Sequence, residues 1–156
     1  MGIRLKINDE IHEFHGDPRT SLLNTLRDTF RLTGSKTPCT EGFCGACTVF
    51  IDGEPAVACL IAVGTLEGKK ITTIEGVATD GQLNPVQQAF EDHDVVQCGM
   101  CFPGMVMTIT HLMKNNPKPT RDEVKSAMTG NICRCTGYER IVDAVMSVQA
   151  GGRVAQ

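Results

Sequence analysis

The sequence predicts an α+β protein, with strands in its first half and helices in its second half. Two features predict β-hairpins: residues 3–14 alternate apolar and polar side chains around a turn, and Asp52-Gly53 separates two apolar runs. A third feature predicts helices, because the chain beyond residue 84 carries helix-capping residues and apolar side chains at helical spacing. The two halves are therefore expected to fold differently.

The first half is predicted to contain hairpin, helix, hairpin and strand in that order. IRLKI (3–7) and IHEF (11–14) are the first two strands, and Asn8-Asp9 is the turn between them. Residues 20–30 are predicted to be a helix capped by Thr20, with three leucines on one face. KKITTIEG (69–76) is predicted to be a further strand.

The second half is predicted to be a small bundle of four helices. Asn84 and Gln87 form a capping box around Pro85, and a second helix is expected over residues 102–116. A third helix begins at the Thr120–Glu123 capping box and is expected to end at Gly130. Thr136 is expected to open the last helix, over residues 136–149. The predicted organisation is a first domain at 1–77, a linker at 78–84, a helical domain at 85–150 and a frayed tail at 151–156.

Composition excludes several classes of function. The net charge of −3 argues against a nucleic-acid-binding protein, as does an aromatic content of no Trp and one Tyr. No apolar run approaches the roughly 20 residues of a membrane-spanning helix, and the N-terminus lacks the features of a signal peptide. A cytoplasmic protein without membrane insertion is expected, and in that compartment cysteines remain reduced.

Eight cysteines fall into two groups of four. The first quartet has the spacing C-x4-C-x2-C-x11-C, which is the plant-type ferredoxin spacing for a 2Fe–2S cluster; it consists of Cys39, Cys44, Cys47 and Cys59. Glycines between these cysteines allow the loop to wrap closely around an inorganic core, with backbone N–H groups directed at its sulfur atoms.

The second quartet has the spacing C-x2-C-x31-C-x-C and consists of Cys98, Cys101, Cys133 and Cys135. Each of its two pairs precedes a predicted helix, and helix N-termini favour the negative charge of a thiolate-bound core. Cys133 and Cys135 are expected to point the same way, with Arg134 directed outward. This quartet alone leaves a structural zinc site as an alternative to iron–sulfur. A disulfide scaffold is disfavoured by the expected compartment.

Three segments carry a resemblance to a known family. CTEGFCGACTV, QCGMCFPGM and GNICRCTGY resemble the cysteine motifs of the small iron–sulfur subunit of the molybdenum hydroxylases, the family that includes xanthine dehydrogenase, aldehyde oxidoreductase and carbon monoxide dehydrogenase. The resemblance covers about residues 3–150. It implies a plant-ferredoxin-like β-grasp domain that holds the first quartet, followed by a four-helix domain that holds the second.

The resemblance also implies residue roles and partners. Gln97 matches a glutamine that hydrogen-bonds the pterin, and Cys135 matches the ligand nearest to the pterin. Single electrons would pass from molybdopterin to the second cluster, then to the first, and then to FAD or another acceptor. Molybdopterin and FAD are expected on separate large and medium subunits, in a heterotrimer or a dimer of heterotrimers. The chain would then be a subunit of an oxidoreductase without catalytic residues of its own.

Two other functions remain as alternatives at this point. A free-standing ferredoxin with two clusters would carry electrons without belonging to an enzyme. A zinc-stabilised interaction module would bind about two zinc ions and be colourless. The sequence does not indicate a substrate or a final electron acceptor.

Overall fold

Five strands form one mixed sheet in this computed structural model, which describes residues 2–151. The strands are β1 (Ile3–Ile7), β2 (Glu10–Phe14), β3 (Thr48–Ile51), β4 (Glu54–Val57) and β5 (Lys70–Thr72). Their order across the sheet is β2-β1-β5-β3-β4. Only β1 and β5 pair in parallel, and the other neighbours are antiparallel. Both predicted hairpins are confirmed, with Asp52 and Gly53 at positive φ in the second turn.

β5 is shorter than predicted, because only Lys70–Thr72 of KKITTIEG is a strand. The side chain of Asn8 accepts a hydrogen bond from Thr73 N–H at 2.9 Å and donates to the Thr73 hydroxyl at 2.9 Å. Thr73 is thus bonded to the first hairpin turn instead of extending the strand. A 3₁₀ turn, Ile74–Gly76, follows.

The helix between the two hairpins also differs from its prediction. It begins with α1 (Leu22–Asn24) and continues as a π-helical turn, Thr25–Thr29. Its cap is Ser21 and not Thr20, since Ser21 Oγ accepts from Asn24 N–H. The three predicted core leucines, Leu22, Leu23 and Leu26, are fully buried against the sheet.

Four helices follow in the second half. They are α2 (Pro85–Asp92), α3 (Phe102–Asn115), α4 (Arg121–Ala127) and α5 (Glu139–Gly151). The structure confirms both predicted capping boxes, Asn84 with Gln87 and Thr120 with Glu123. α4 ends at Ala127, three residues before the predicted end, and Gly130 instead closes a 3₁₀ turn, Met128–Gly130. α5 begins at Glu139, so the prediction that Thr136 opens it is wrong.

Two hydrophobic cores lie side by side. One is formed by the sheet and α1, and the other by α2–α5. Ile74 and Val77, which follow β5, pack against the helical core. Of the predicted tail 151–156, Gly151 ends α5, and residues 152–156 lie outside the described residues. Among the described helices, none has the length and apolar character needed to cross a membrane.

Candidate metal centres

The first quartet lies in the two loops on either side of the β3–β4 hairpin. Cys39, Cys44 and Cys47 lie in the loop that leads into β3, and Cys59 lies in a 3₁₀ turn, Ala58–Leu60, that follows β4. β3 and β4 are neighbours in one hairpin, which brings Cys47 and Cys59 together. The four thiols meet in two contacting pairs, Cys39 with Cys44 and Cys47 with Cys59.

Backbone N–H groups point at sulfur atoms of the first quartet. Glu41 N–H donates to Cys39 Sγ at 3.4 Å, and Gly42 N–H donates to Cys59 Sγ at 3.2 Å. The Glu41 bond is the main reason that the pKa of Cys39 is lowered to about 7. Cys47 is more deeply placed, and burial raises the pKa of its thiol to about 12. These N–H groups match the donors expected around an anionic sulfur cluster.

The second quartet lies at the starts of two helical segments. Cys101 is the residue before the first residue of α3, whereas Cys133 and Cys135 precede α5 by several residues. The thiols of the second quartet also meet in two pairs. Cys98 Sγ and Cys135 Sγ are 3.5 Å apart, and Cys101 contacts Cys133. All four cysteines line one cavity.

Cys133 and Cys135 differ in their surroundings. Cys133 is buried, while Cys135 is exposed, as is Arg134 between them. Burial acts to raise the pKa of Cys133, but the Thr136 hydroxyl and N–H lower it below its ordinary value. Burial raises the pKa of Cys101 to about 12. The two cysteines therefore belong to different thiol pairs: Cys133 lies inside the cavity, and Cys135 lies at its rim.

Gln97 lies beside the second quartet. Its side chain is exposed, and it lines the same cavity as Cys98 and Cys135. Gln97 and Cys135, the residues to which the family resemblance assigns the pterin contact, are both on the exposed side of the second quartet, as is Cys98.

Several residues that connect or support the quartets were missed by sequence reasoning. Asn131 and Ile132 hydrogen-bond the first loop, and Gly104 of α3 packs on the backbone of Gly45. Thr136 contacts the sulfur of Cys133. Thr136 lies three residues after a cysteine, and that spacing was the one signal that could have indicated its contact. The other contacts join residues far apart in sequence.

The donor sets fit 2Fe–2S clusters. Such a cluster is held by four cysteine thiolates, two on each iron, and each quartet presents two pairs of thiols. All eight cysteines are free of disulfides in the described part of the chain. Between residues 2 and 151, no three His, Cys, Asp or Glu side chains are arranged to hold a single metal ion.

Comparison with known proteins gives matches over most of the chain. Residues 15–97 match the family described as 2Fe-2S iron-sulfur cluster binding domain, and residues 73–146 match the family described as 2Fe-2S binding domain. The small FeS subunit of nicotinate dehydrogenase from Eubacterium barkeri is 46% identical over 143 residues, covering 92% of this chain and 91% of that protein. The small subunit of nicotine 6-hydroxylase from Paenarthrobacter nicotinovorans is 42% identical, with coverages of 92% and 87%.

A solved structure gives the same assignment. A chain of quinoline 2-oxidoreductase from Pseudomonas putida 86 superimposes with a TM-score of 0.91 at 43% identity, covering 96% of this chain and 94% of that one. The similarity therefore extends over both quartets and over nearly the full length of each partner. The chain belongs to the small 2Fe–2S iron–sulfur subunits of the molybdenum hydroxylase family.

Proposed function

We propose that this chain is the electron-transfer subunit of a molybdenum-dependent hydroxylase or dehydrogenase, which relays single electrons from molybdopterin on one partner subunit to FAD or another acceptor. The observation that carries the proposal is the pairing of thiols, two pairs in each quartet. A 2Fe–2S cluster, when bound, accepts and releases one electron at a time. The chain supplies ligands, hydrogen-bond donors and a fixed spacing between the two quartets, and no catalytic residue.

The proposed ligands follow the pairs. In the first quartet, Cys39 and Cys44 would hold one iron, and Cys47 and Cys59 the other. In the second quartet, Cys98 with Cys135 and Cys101 with Cys133 would do the same. Thiolates are the ligating form, so the N–H groups of Glu41 and Gly42 serve both the thiolates and the reduced, more negative state.

The second quartet is proposed as the electron entry point. Gln97 and Cys135 are assigned to the pterin contact by the family resemblance, and both are exposed at the same cavity. In this arrangement Gln97 would hydrogen-bond the pterin through its side-chain amide. The first quartet would then be the exit, facing FAD or another acceptor.

We further propose the finer architecture that the resemblance implies. Residues 1–77 would be a plant-ferredoxin-like β-grasp domain, 78–84 a linker, and 85–150 a four-helix domain. The mixed sheet packed on α1 supports the first assignment, and the Asn84 cap at the start of α2 supports the start of the second domain.

The proposed partners are a large molybdopterin subunit and a medium FAD subunit, in a heterotrimer or a dimer of heterotrimers. The printed names of the relatives, small FeS subunit and small subunit, imply larger companions for those proteins. Exposed apolar side chains lie beside both quartets in this chain: Phe43 (73% exposed) and Leu60 beside the first, Val96 and Met100 beside the second. Eight free cysteines fit a cytoplasmic complex, where thiols remain reduced.

Metal analysis of the complex purified from its native cell tests this proposal. We expect four irons per chain, a red-brown colour, and molybdenum in a larger companion subunit. A colourless chain with about two zinc ions would establish the interaction module instead. An iron-loaded chain that purifies alone, without molybdenum, would establish a free-standing ferredoxin.

Ligand variants test the assignment of each quartet. The reduced complex should give two distinguishable EPR signals. Cys44→Ser should remove one of them and Cys98→Ser the other, with the remaining signal unchanged in each case. Survival of both signals in either variant would show that the ligand assignment is wrong.

A further inference from the structure

The sulfur of Cys133 has a hydroxyl group as its neighbour. Thr136 Oγ1 lies 3.0 Å from Cys133 Sγ, and the backbone N–H of Thr136 donates to the same sulfur at 3.4 Å. Cys133 is only 8% exposed. The hydroxyl contact is therefore partly buried, and the partial exclusion of water makes it stronger than a fully exposed one.

A second hydrogen bond holds the Thr136 oxygen beside the sulfur. The backbone N–H of Tyr138 donates to Thr136 Oγ1 at 3.2 Å, which occupies that oxygen as an acceptor. A hydroxyl has one proton to donate and two acceptor lone pairs, so the Tyr138 bond leaves that proton free to be donated to the sulfur. When Cys133 ligates iron as a thiolate it has no proton, so Thr136 must be the donor.

Tyr138 holds this arrangement in place. Its φ of +70° is unusual for an aromatic residue and persists only where the surroundings stabilise it. The Tyr138 hydroxyl accepts a hydrogen bond from Cys133 N–H at 2.9 Å. The segment from Cys133 to Tyr138 is thus closed at both ends, and its geometry brings the Thr136 hydroxyl to the sulfur.

The first quartet has no comparable hydroxyl donor among its described loop contacts. In the described residues of its loop, the sulfur-directed donors are backbone N–H groups, among them those of Glu41 and Gly42. Thr40 lies next to Cys39, but its hydroxyl donates to the Cys39 carbonyl oxygen at 2.6 Å and not to a sulfur. Thr40 is therefore a natural control for Thr136.

We propose that Thr136 is a positioning residue that raises the reduction potential of the cluster held by the second quartet, by donating its hydroxyl hydrogen bond to Cys133 Sγ. The inference rests on the proposed function, because it requires a cluster at that quartet. A hydrogen bond to a ligand sulfur draws charge from the thiolate and stabilises the reduced state, which carries one more negative charge.

Redox titration of the assembled complex tests the proposal, with the two EPR signals followed separately. Thr136→Val keeps the shape of the side chain and removes the hydroxyl. We expect it to lower the midpoint potential of the signal that Cys98→Ser abolishes and to leave the other signal unmoved. Thr136→Ser should restore the wild-type potential, and Thr40→Val should leave the signal of the second quartet unmoved. If Thr136→Val does not retain iron, Thr136→Ala replaces it with the same expected shift.

Two results would overturn the proposal. One is an unchanged potential in an iron-loaded Thr136→Val or Thr136→Ala complex. The other is an equal shift in the Ser and Val variants, which would assign the effect to packing rather than to the hydroxyl. A wild-type chain without iron at the second quartet would instead refute the proposed function, so the two failures are distinguishable.

Discussion

The backbone N–H of Ile132 donates a 3.0 Å hydrogen bond to the carbonyl oxygen of Cys44. Cys44 belongs to the first quartet, and Ile132 immediately precedes Cys133 of the second. Asn131 adds a second bond to the same loop, from its Nδ2 to the carbonyl oxygen of Gly45 at 3.3 Å. The two quartets are therefore joined through main-chain groups, and their spacing does not depend on side-chain packing alone.

The Asn131 bond can be tested by two substitutions of different chemistry. Asn131 is buried, so Asn131→Ala should lower the free energy of unfolding by about 1–2 kcal/mol through the lost hydrogen bond. Asn131→Asp keeps the shape but places a carboxylate oxygen against the Gly45 carbonyl oxygen, and it should destabilise more than Ala. The measurement is the temperature at which the visible absorption of the complex is lost. Asn115→Ala, at an exposed position on α3, is the control. An Asp variant as stable as the Ala variant would contradict this assignment.

The contact between Gly45 and Gly104 leaves no room for a side chain. A Cβ added to Gly104 would overlap the carbonyl oxygen of Gly45, because the first turn of α3 packs directly on the cysteine loop. Gly104→Ala should therefore lower the free energy of unfolding by about 1–3 kcal/mol. At Gly130 an added Cβ meets no atom within 4 Å, so Gly130→Ala should change stability by about 0.5 kcal/mol or less. Equal melting temperatures for the two variants would show that α3 can shift away from the loop at no cost.

Elements specified by neighbouring residues were predictable from the sequence. The Asp52-Gly53 turn and the Thr120–Glu123 capping box depend on contacts within a few positions, and the structure contains both. Thr20 was predicted as a cap and is not one, because its carbonyl oxygen accepts a hydrogen bond from Val63 N–H. Its neighbour Ser21 pairs with Ala62 and caps the helix. Such pairing between distant segments leaves no local signal.

In the candidate site, too, local features could be predicted from the sequence and contacts between distant residues could not. The short spacings C-x4-C-x2-C, C-x2-C and C-x-C each lie within one loop, so the sequence could indicate them, and the structure brings the two pairs of the second quartet to one cavity. The bond between Ile132 and Cys44 joins residues 88 positions apart, and no spacing indicates it. Thr136 has the sequence character of a helix cap, but its hydroxyl is engaged by Cys133 and its helix begins at Glu139. The contact of Thr136 with a sulfur atom thus replaces the capping role that its local sequence indicates.

The cap of α2 also bonds a neighbouring helix, whereas the second bond of Thr120, from Oγ1 to Glu123 Oε2 at 2.8 Å, stays within its own capping box. Asn84 accepts from Gln87 N–H at 2.7 Å and also donates Nδ2 to Thr110 Oγ1 of α3 at 3.0 Å. Thr120→Ala should lower the free energy of unfolding by about 1 kcal/mol, as loss of a cap does. Asn84→Ala should cost more, because the contact with α3 is lost as well. Asn84→Ser keeps the cap and loses only the contact with α3, so it should cost less than Asn84→Ala. Thermal melting of the three variants checks this order, and an Asn84→Ser variant as unstable as Asn84→Ala would assign the effect to Thr110 alone.

Removal of iron should reveal the different thiol environments within the first quartet. The pKa of Cys39 is lowered to about 7, chiefly by Glu41 N–H, whereas burial raises the pKa of Cys47 to about 12. Alkylation requires the thiolate, so Cys39 should be labelled by iodoacetamide increasingly as pH rises through about 7, while Cys47 stays unlabelled at neutral pH. Circular dichroism first establishes that the iron-free chain keeps its helices, and peptide mapping by mass spectrometry then reports each site. The iron-loaded chain, in which the thiolates are bound, should be labelled at neither position. Labelling of Cys47 at the same pH as Cys39 would show that the loop opens without iron, and that burial does not protect Cys47.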